Sequence, residues 1–279
     1  MAKKTIVTDK ALDFYSDGNY NRDLWFEVAA KDYAVLIKEL DNKDILNPAQ
    51  QKIKILDVGC GTGKFPQMLR DMISPMPAIN YDLLDPSEYS LAQARAVLKA
   101  PMEAGTSFVN IAEDVCADGF FNDSQIYDII WGMHSFYYID LERAKDVLRV
   151  LASRLKDQNS RLYVYLATKN STYHASGKFA CVFNPDIPPR TYTMAEDIID
   201  VLNIANLEFK KTLFTFNHVI NQANHAVLEN YLGQCVLNTK LTLEDWVQNE
   251  QASQWLADHC KDNVYCFPQE VYLLEIFKT

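Results

Sequence analysis

No run in this sequence approaches the ~20 consecutive apolar residues of a membrane-spanning helix. The opening Met1-Ala2-Lys3-Lys4-Thr5 has two lysines but no hydrophobic secretory core after them, so no export signal is expected. Six cysteines are scattered (Cys60, Cys116, Cys181, Cys235, Cys260, Cys266) and none form a C-x-x-C pair. A zinc site is therefore not expected, and the thiols read as reduced packing residues of a cytoplasmic protein. Basic charge is scarce as well: 27 Lys and Arg stand against 37 Asp and Glu, for a net charge of −10. Without a basic cluster, a nucleic-acid partner is not expected. The acidity suits a cationic or neutral small partner, although ordinary solubility accounts for most of it. Internal repeats and low-complexity segments are absent too. What remains is a chain of 279 residues, 48% hydrophobic, enough for one large domain with insertions and read as a monomer.

The informative segment is Leu56-Asp57-Val58-Gly59-Cys60-Gly61-Thr62-Gly63. The apolar run Ile53-Lys54-Ile55-Leu56 before it reads as a buried strand, and Lys64-Phe65-Pro66-Gln67-Met68-Leu69-Arg70 after it as a helix with one apolar face. Strand, glycine turn and helix together are where α/β sheets bind nucleotides, because glycine permits a tight turn and close approach of the backbone. Spacing narrows the ligand. A phosphate-cradling loop needs Ser or Thr after Gly-Lys and a glycine five residues earlier; here Phe65 follows Lys64, and Val58 stands upstream. The dinucleotide pattern G-x-G-x-x-G fails at Lys64.

The run Asp57 to Gly63 resembles the first motif of class I S-adenosylmethionine-dependent methyltransferases. That resemblance implies S-adenosylmethionine as cofactor, with Asp57 near its methionine part and the loop of Gly59, Cys60, Gly61 and Gly63 under ribose and methionine. Downstream, Ala78 to Leu84 reads as a second strand ending in Asp85-Pro86-Ser87, roughly 20 residues past the glycines, where such a unit places its ribose-binding carboxylate. Asp82 competes but sits inside the strand. Thr106 to Ile111 reads as a third strand, after which the family contacts the adenine amino group; Asp114 and its neighbour Val115 take that role here. Tyr127 to Met133 reads as a fourth strand, with Asp128 matching an acidic family position and Met133 and His134 at the cofactor end. Arg161 to Leu166 is a fifth.

Alternating strands and helices give the α/β class: a Rossmann-like, doubly wound sheet of seven strands. The sixth strand is Leu207 to Phe216 and the seventh Val271 to Phe277, which runs antiparallel to the others in the family. The core covers about 50–168, 192–217 and 263–279. Three segments lie outside it: 1–49, rich in aromatics including Tyr15, Tyr20 and Trp25; 169–191; and 218–262, with helices near 223–237 and 242–260. Extra elements over the carboxyl edge of such a sheet build substrate pockets, since ligands sit at that edge.

A narrower resemblance, to the histamine N-methyltransferase family, rests on Ser16-Asp17-Gly18-Asn19-Tyr20, Ile53 to Leu56, Asp85-Pro86-Ser87, Met133-His134-Ser135-Phe136-Tyr137-Tyr138-Ile139 and the ending around Phe267-Pro268-Gln269. It implies Tyr20, Tyr137 and Tyr138 beside the substrate. His134 stands where the family has Gln, Gln269 where it has the Asn that holds the substrate amine, and Glu27 or Asp32 lies near its acidic anchor. Scaffold and small-molecule class carry over; histamine itself does not.

Methyl transfer from a sulfonium is an in-line displacement at ~3 Å, so positioning supplies much of the rate. Aromatic faces suit the cation, and Phe136, Tyr137 and Tyr138 are placed for it. A neutral amine needs orientation and a proton acceptor, for which Gln269 or a water would serve; a hydroxyl needs a base such as His134. The catalytic candidates are therefore His134, Tyr138 and Gln269. The leading reading is N-methylation of a small amine or nitrogen heterocycle. O-methylation with His134 as base and cofactor binding without turnover are the alternatives.

Overall fold

The computed structural model describes residues 14–15, 21–50, 52–185 and 192–278. Helix α1 (Arg22–Asn42) is started by Asn21, whose side chain accepts from the backbone N–H groups of Asp23 and Leu24. Strand β1 (Lys52–Val58) enters the sheet with its last four residues buried, as the apolar run predicts. The glycine turn leads into α2 (Lys64–Met72), which is followed by β2 (Ala78–Leu84) and α3 (Glu88–Val97), capped by the Ser87 side chain on Ser90 N. Next come β3 (Met102–Phe108), a 3-10 turn over Ala112–Cys116, β4 (Ile129–Met133) and a second 3-10 turn, Phe136–Tyr138. Helix α4 (Leu141–Ser153), capped by Asp140, leads to β5 (Arg161–Ala167).

The second half supplies short helices α5 (Thr172–Gly177) and α6 (Ala180–Phe183), helix α7 (Ala195–Ala205) and strand β6 (Phe209–Asn221). Helices α8 (His225–Cys235), α9 (Leu243–Gln248) and α10 (Glu250–Asp258) follow, then β7 (Cys260–Lys261) and β8 (Val264–Phe277). Strand order is β3-β2-β1-β4-β5-β8-β6, with β7 paired to β8. The first five strands are mutually parallel, and β8 runs antiparallel between β5 and β6, as expected of the last strand.

Two features depart from the expected sheet. Among the described residues the strands number eight, because the segment before β8 adds β7 as its short hairpin partner. Strand β8 also begins at Val264, earlier than Val271, and β6 continues to Asn221 instead of ending at Phe216. These extensions pair with each other beyond the end of β5 and so leave the sheet as a ribbon, which β7 joins at its far end. Pro268 is tolerated there because β5 pairs β8 only from Val271 onward, leaving no ladder bond for the proline nitrogen to complete on that side.

Apolar side chains form one cluster on each face of the sheet: α4 and α7 cover one, α1, α2 and α3 the other. A third cluster joins the first turns of α1 to α8, α10 and the ribbon, through Trp25, Val28, Tyr231, Leu256 and Phe267. It forms a cap over the carboxyl edge of the sheet. No helix among the described residues is long and apolar enough to cross a membrane.

Candidate active site

A cavity of about 650 Å³ opens at the carboxyl edge, between the β1 and β4 ends and the cap. Its floor is the glycine turn. Gly59 N–H donates to the Leu84 carbonyl at 2.7 Å, and Gly61 N–H donates to Asp85 Oδ2 at 2.9 Å, so the turn is tied to the end of β2. Gly59 has φ +70, and a Cβ there would meet the Ser135 Cβ at 2.3 Å; only glycine lets the turn pack on the loop after β4. Gly61 also has positive φ (+52), but a Cβ would meet no atom within 4 Å, and the residue lines the cavity. Its missing side chain leaves room for a ligand.

Two buried carboxylates face this space. Asp57 Oδ2 accepts from the Tyr81 hydroxyl at 2.8 Å, and that hydroxyl accepts from Trp131 Nε1 at 2.9 Å. Burial nevertheless pushes Asp57 up to about 7, against the lowering effect of the Tyr81 hydrogen bond. Asp85 accepts from the backbone N–H groups of Ser87 and Gly61 and is pushed by burial up to about 6. Two desolvated acids beside an open glycine turn suit a ligand that brings hydroxyl donors and positive charge, and no phosphate.

The other half of the cavity is walled by aromatic rings. Helix α1 turns Trp25, Ala29, Asp32 and Tyr33 toward it at helical spacing. Tyr137 and Tyr138 come from the turn after β4, Tyr173 from α5, and Tyr192 from the segment before α7. Tyr138 meets Tyr15 and Tyr192 edge-on, with ring centroids 6.4 and 5.7 Å apart. Within this wall Asp32 is 1% exposed. Its Oδ2 lies 2.7 Å from His134 Nε2, and the buried Tyr165 hydroxyl lies beside the same carboxylate. The other ring nitrogen, His134 Nδ1, lies 2.7 Å from the Tyr137 hydroxyl. His134 has φ +56, a left-handed conformation that costs a non-glycine residue energy and is held here by the backbone bond from its N–H to the Tyr165 carbonyl.

A methyltransferase domain model matches residues 56–160, which span β1 through α4 and contain the glycine turn and the β4 end. The chain carries a methyltransferase domain. Solved structures share the architecture. The cyclopropane synthase MmaA2 from Mycobacterium tuberculosis is 11% identical, with both chains covered in full (100%) and a TM-score of 0.58. An S-adenosylmethionine-dependent methyltransferase from Leishmania major is 14% identical over 95% of this chain and 82% of its own, with a TM-score of 0.53. The plantazolicin methyltransferase BpumL, in complex with SAH, is 13% identical over 97% and 94%, with a TM-score of 0.52. At such identities the likeness speaks for the fold alone. No curated protein matches the chain in sequence.

Most of the residues expected at the site do line the cavity: Asp57, Gly59, Cys60, Gly61, Asp85, Pro86, Ser87, Met133 and His134, expected to hold the cofactor, and Tyr15, Trp25, Tyr137 and Tyr138, expected beside the substrate. Tyr20 lies outside the described residues. Three expectations need correction. Gly63 is not part of the lining; it starts α2 at φ +77, and a Cβ there would press on Ala94 Cα at 2.7 Å, so it serves helix packing. Asp114 and Val115 also stand away from the lining: the 3-10 turn points Asp114 at the Asn110 amide and buries Val115 in the core, presenting Ile111, Ala112 and Glu113 instead. Gln269 is buried behind the aromatic wall, between the Ser171 hydroxyl at 2.5 Å and the Tyr231 hydroxyl at 3.1 Å. Asp128 lies at the amino end of β4, bonded to Lys54 N and Lys156, on the far side of the sheet from the cavity. Asp82 accepts from Thr106 N and the Tyr127 hydroxyl, which leaves the β2-end role to Asp85.

Sequence reasoning gave no site role to Glu113 or Tyr192, and named Asp32 only as a neighbour of the acidic anchor. Asp32 does carry a local signal: it is an acid inside the otherwise apolar stripe Trp25, Val28, Ala29, Leu36 of α1. Glu27, the other candidate, is exposed.

Proposed function

We propose that the chain transfers a methyl group to the nitrogen of a small amine or nitrogen heterocycle. The observation that carries this reading is the buried Asp32 carboxylate, set in a wall of tyrosine and tryptophan rings that lines the cavity. A buried carboxylate is costly to desolvate, and an N–H donor or ammonium offsets that cost. The surrounding ring faces attract the same kind of group.

On the cofactor side, Asp85 would accept the ribose hydroxyl protons, Asp57 would face the methionine part, and the turn from Gly59 to Gly61 would pass beneath them. The bound cofactor supplies an electrophilic methyl group. The cavity walls exclude water, and the aromatic rings fix the acceptor in line with the reacting carbon, where orientation rather than bond-making chemistry by the protein sets the rate.

O-methylation with His134 acting directly as base is disfavoured, because both ring nitrogens are engaged, one by Asp32 and the other by Tyr137. The test is a screen with radiolabelled S-adenosylmethionine against matched panels of aromatic amines, imidazoles, phenols and carboxylates. Transfer to amines or imidazoles is the expected result. Transfer confined to phenols or carboxylates would replace this reading with the O-methyl one. Calorimetric binding of S-adenosylmethionine with no transfer to any panel would point to a cofactor-binding protein without turnover.

A further inference from the structure

The cavity holds an acid, an imidazole and a phenol in one hydrogen-bonded line: Asp32, His134 and Tyr137. The direction of that line can be worked out. The Asp32 carboxylate only accepts, so the hydrogen between it and His134 belongs to Nε2. A neutral imidazole carries one such hydrogen, which leaves Nδ1 bare. The Tyr137 hydroxyl must then donate to Nδ1, across 2.7 Å. The same phenol oxygen accepts from the Ala167 backbone N–H at 3.2 Å, at the last residue of β5. One lone pair of the Tyr137 oxygen remains, and the residue lines the cavity. Burial holds the phenol un-ionised, its pKa well above the ordinary tyrosine value, so it takes up a proton only by passing its own along.

We propose that the Tyr137 oxygen is the catalytic proton acceptor for the methyl acceptor, with His134 and Asp32 as positioning residues behind it. This rests on the amine reading above. As the methyl carbon exchanges its bond to sulfur for one to the acceptor nitrogen, the N–H proton passes to the Tyr137 oxygen. The original Tyr137 hydrogen passes to His134 Nδ1. The sulfur leaves as a neutral thioether with the bonding pair. The new imidazolium is stabilised by the Asp32 carboxylate 2.7 Å away. The left-handed backbone of His134 belongs to this arrangement, because it aims the imidazole between α1 and the turn after β4.

Two measurements on the full chain test it. The first needs no methyl acceptor: ¹⁵N-histidine NMR in the presence of S-adenosylhomocysteine. The His134 signals are expected to show a proton on Nε2 and a bare, hydrogen-bonded Nδ1. Asp32→Asn can donate to the ring and is expected to flip the tautomer, moving the proton to Nδ1. The second uses whichever panel amine is methylated. Tyr137→Phe is expected to lower kcat by roughly 10²–10⁴-fold with KM and S-adenosylmethionine affinity within about twofold of the parent. Asp32→Asn is expected to lower kcat by a similar factor at unchanged cofactor affinity. A proton on Nδ1 in the parent, or a Tyr137→Phe variant with parental kcat and an intact circular-dichroism spectrum, overturns the relay. Absence of any methylated amine sinks the amine reading instead, and leaves the tautomer result to decide the hydrogen-bond line on its own.

Discussion

Trp25 of α1 and Tyr231 of α8 stack with ring centroids 5.3 Å apart and planes 13° from parallel. The Tyr231 hydroxyl accepts from Gln269 Nε2, and 3.1 Å away lies His218 Nδ1. His218 is fully buried and held by that burial down to about 4, so it stays neutral. The stack is therefore the cavity-facing surface of a buried polar network, and Gln269 acts from behind it.

Replacing Gln269 by Ala should act on stability before it acts on chemistry. Ser171 and Tyr231 would each lose a buried partner and a small cavity would open, a loss of about 2–3 kcal/mol. Urea titration followed by circular dichroism checks this, with calorimetric affinity for S-adenosylmethionine expected to stay at the parental value. A Gln269→Ala protein of parental stability that has lost only turnover would restore Gln269 to the site.

The two carboxylates of the cofactor side predict a pH dependence. In the free protein Asp57 and Asp85 are raised to about 7 and about 6, above the 3.8 of an unburied aspartate. Their contribution to folding stability is thus full below pH ~4 and is lost as pH rises through 6 and 7. A cationic cofactor favours the ionised acids, so its affinity should be roughly tenfold or more higher at pH 8 than at pH 5.5. Calorimetry near pH 6.5 in buffers of different ionisation enthalpy should show proton release on binding. Proton uptake, or a pH-independent affinity, contradicts the assignment.

The first two glycines of the turn should separate folding from binding. Gly61→Arg adds left-handed strain of about 1–2 kcal/mol, its Cβ meets no protein atom within 4 Å, and its side chain would enter the proposed cofactor space. It should fold and fail to bind S-adenosylmethionine. Gly59→Ala instead drives a methyl group into Ser135 and should lower the melting temperature. Asp85→Ala should weaken binding by about 10–100-fold, the effect of losing charge-assisted hydrogen bonds. Differential scanning fluorimetry with and without cofactor reads all three.

The glycine-turn side of the cavity was legible because its determinants are local. Asp57, the glycines and Asp85 sit at strand ends, and strands announce themselves as apolar runs. Asp114 was misjudged because the direction of a side chain in a 3-10 turn changes with every residue, and Glu113 is the one turned inward. The acceptor half depends on contacts that no window of sequence contains. Asp32 meets His134 at a separation of 102 residues. Gln269 was placed by likeness to a final strand, but β8 starts at Val264, and its extension carries that residue behind the cap.

Strand β6 has 13 residues and β5 has 7, and the surplus is paired along its whole length with β8. Sheet and cap therefore share two continuous strands rather than a loop. A ladder of backbone hydrogen bonds resists hinging, so the cap is held to the sheet beneath it. The width of the cavity between them is built into the backbone, and substitutions among the cap side chains can reshape its aromatic wall without resetting it.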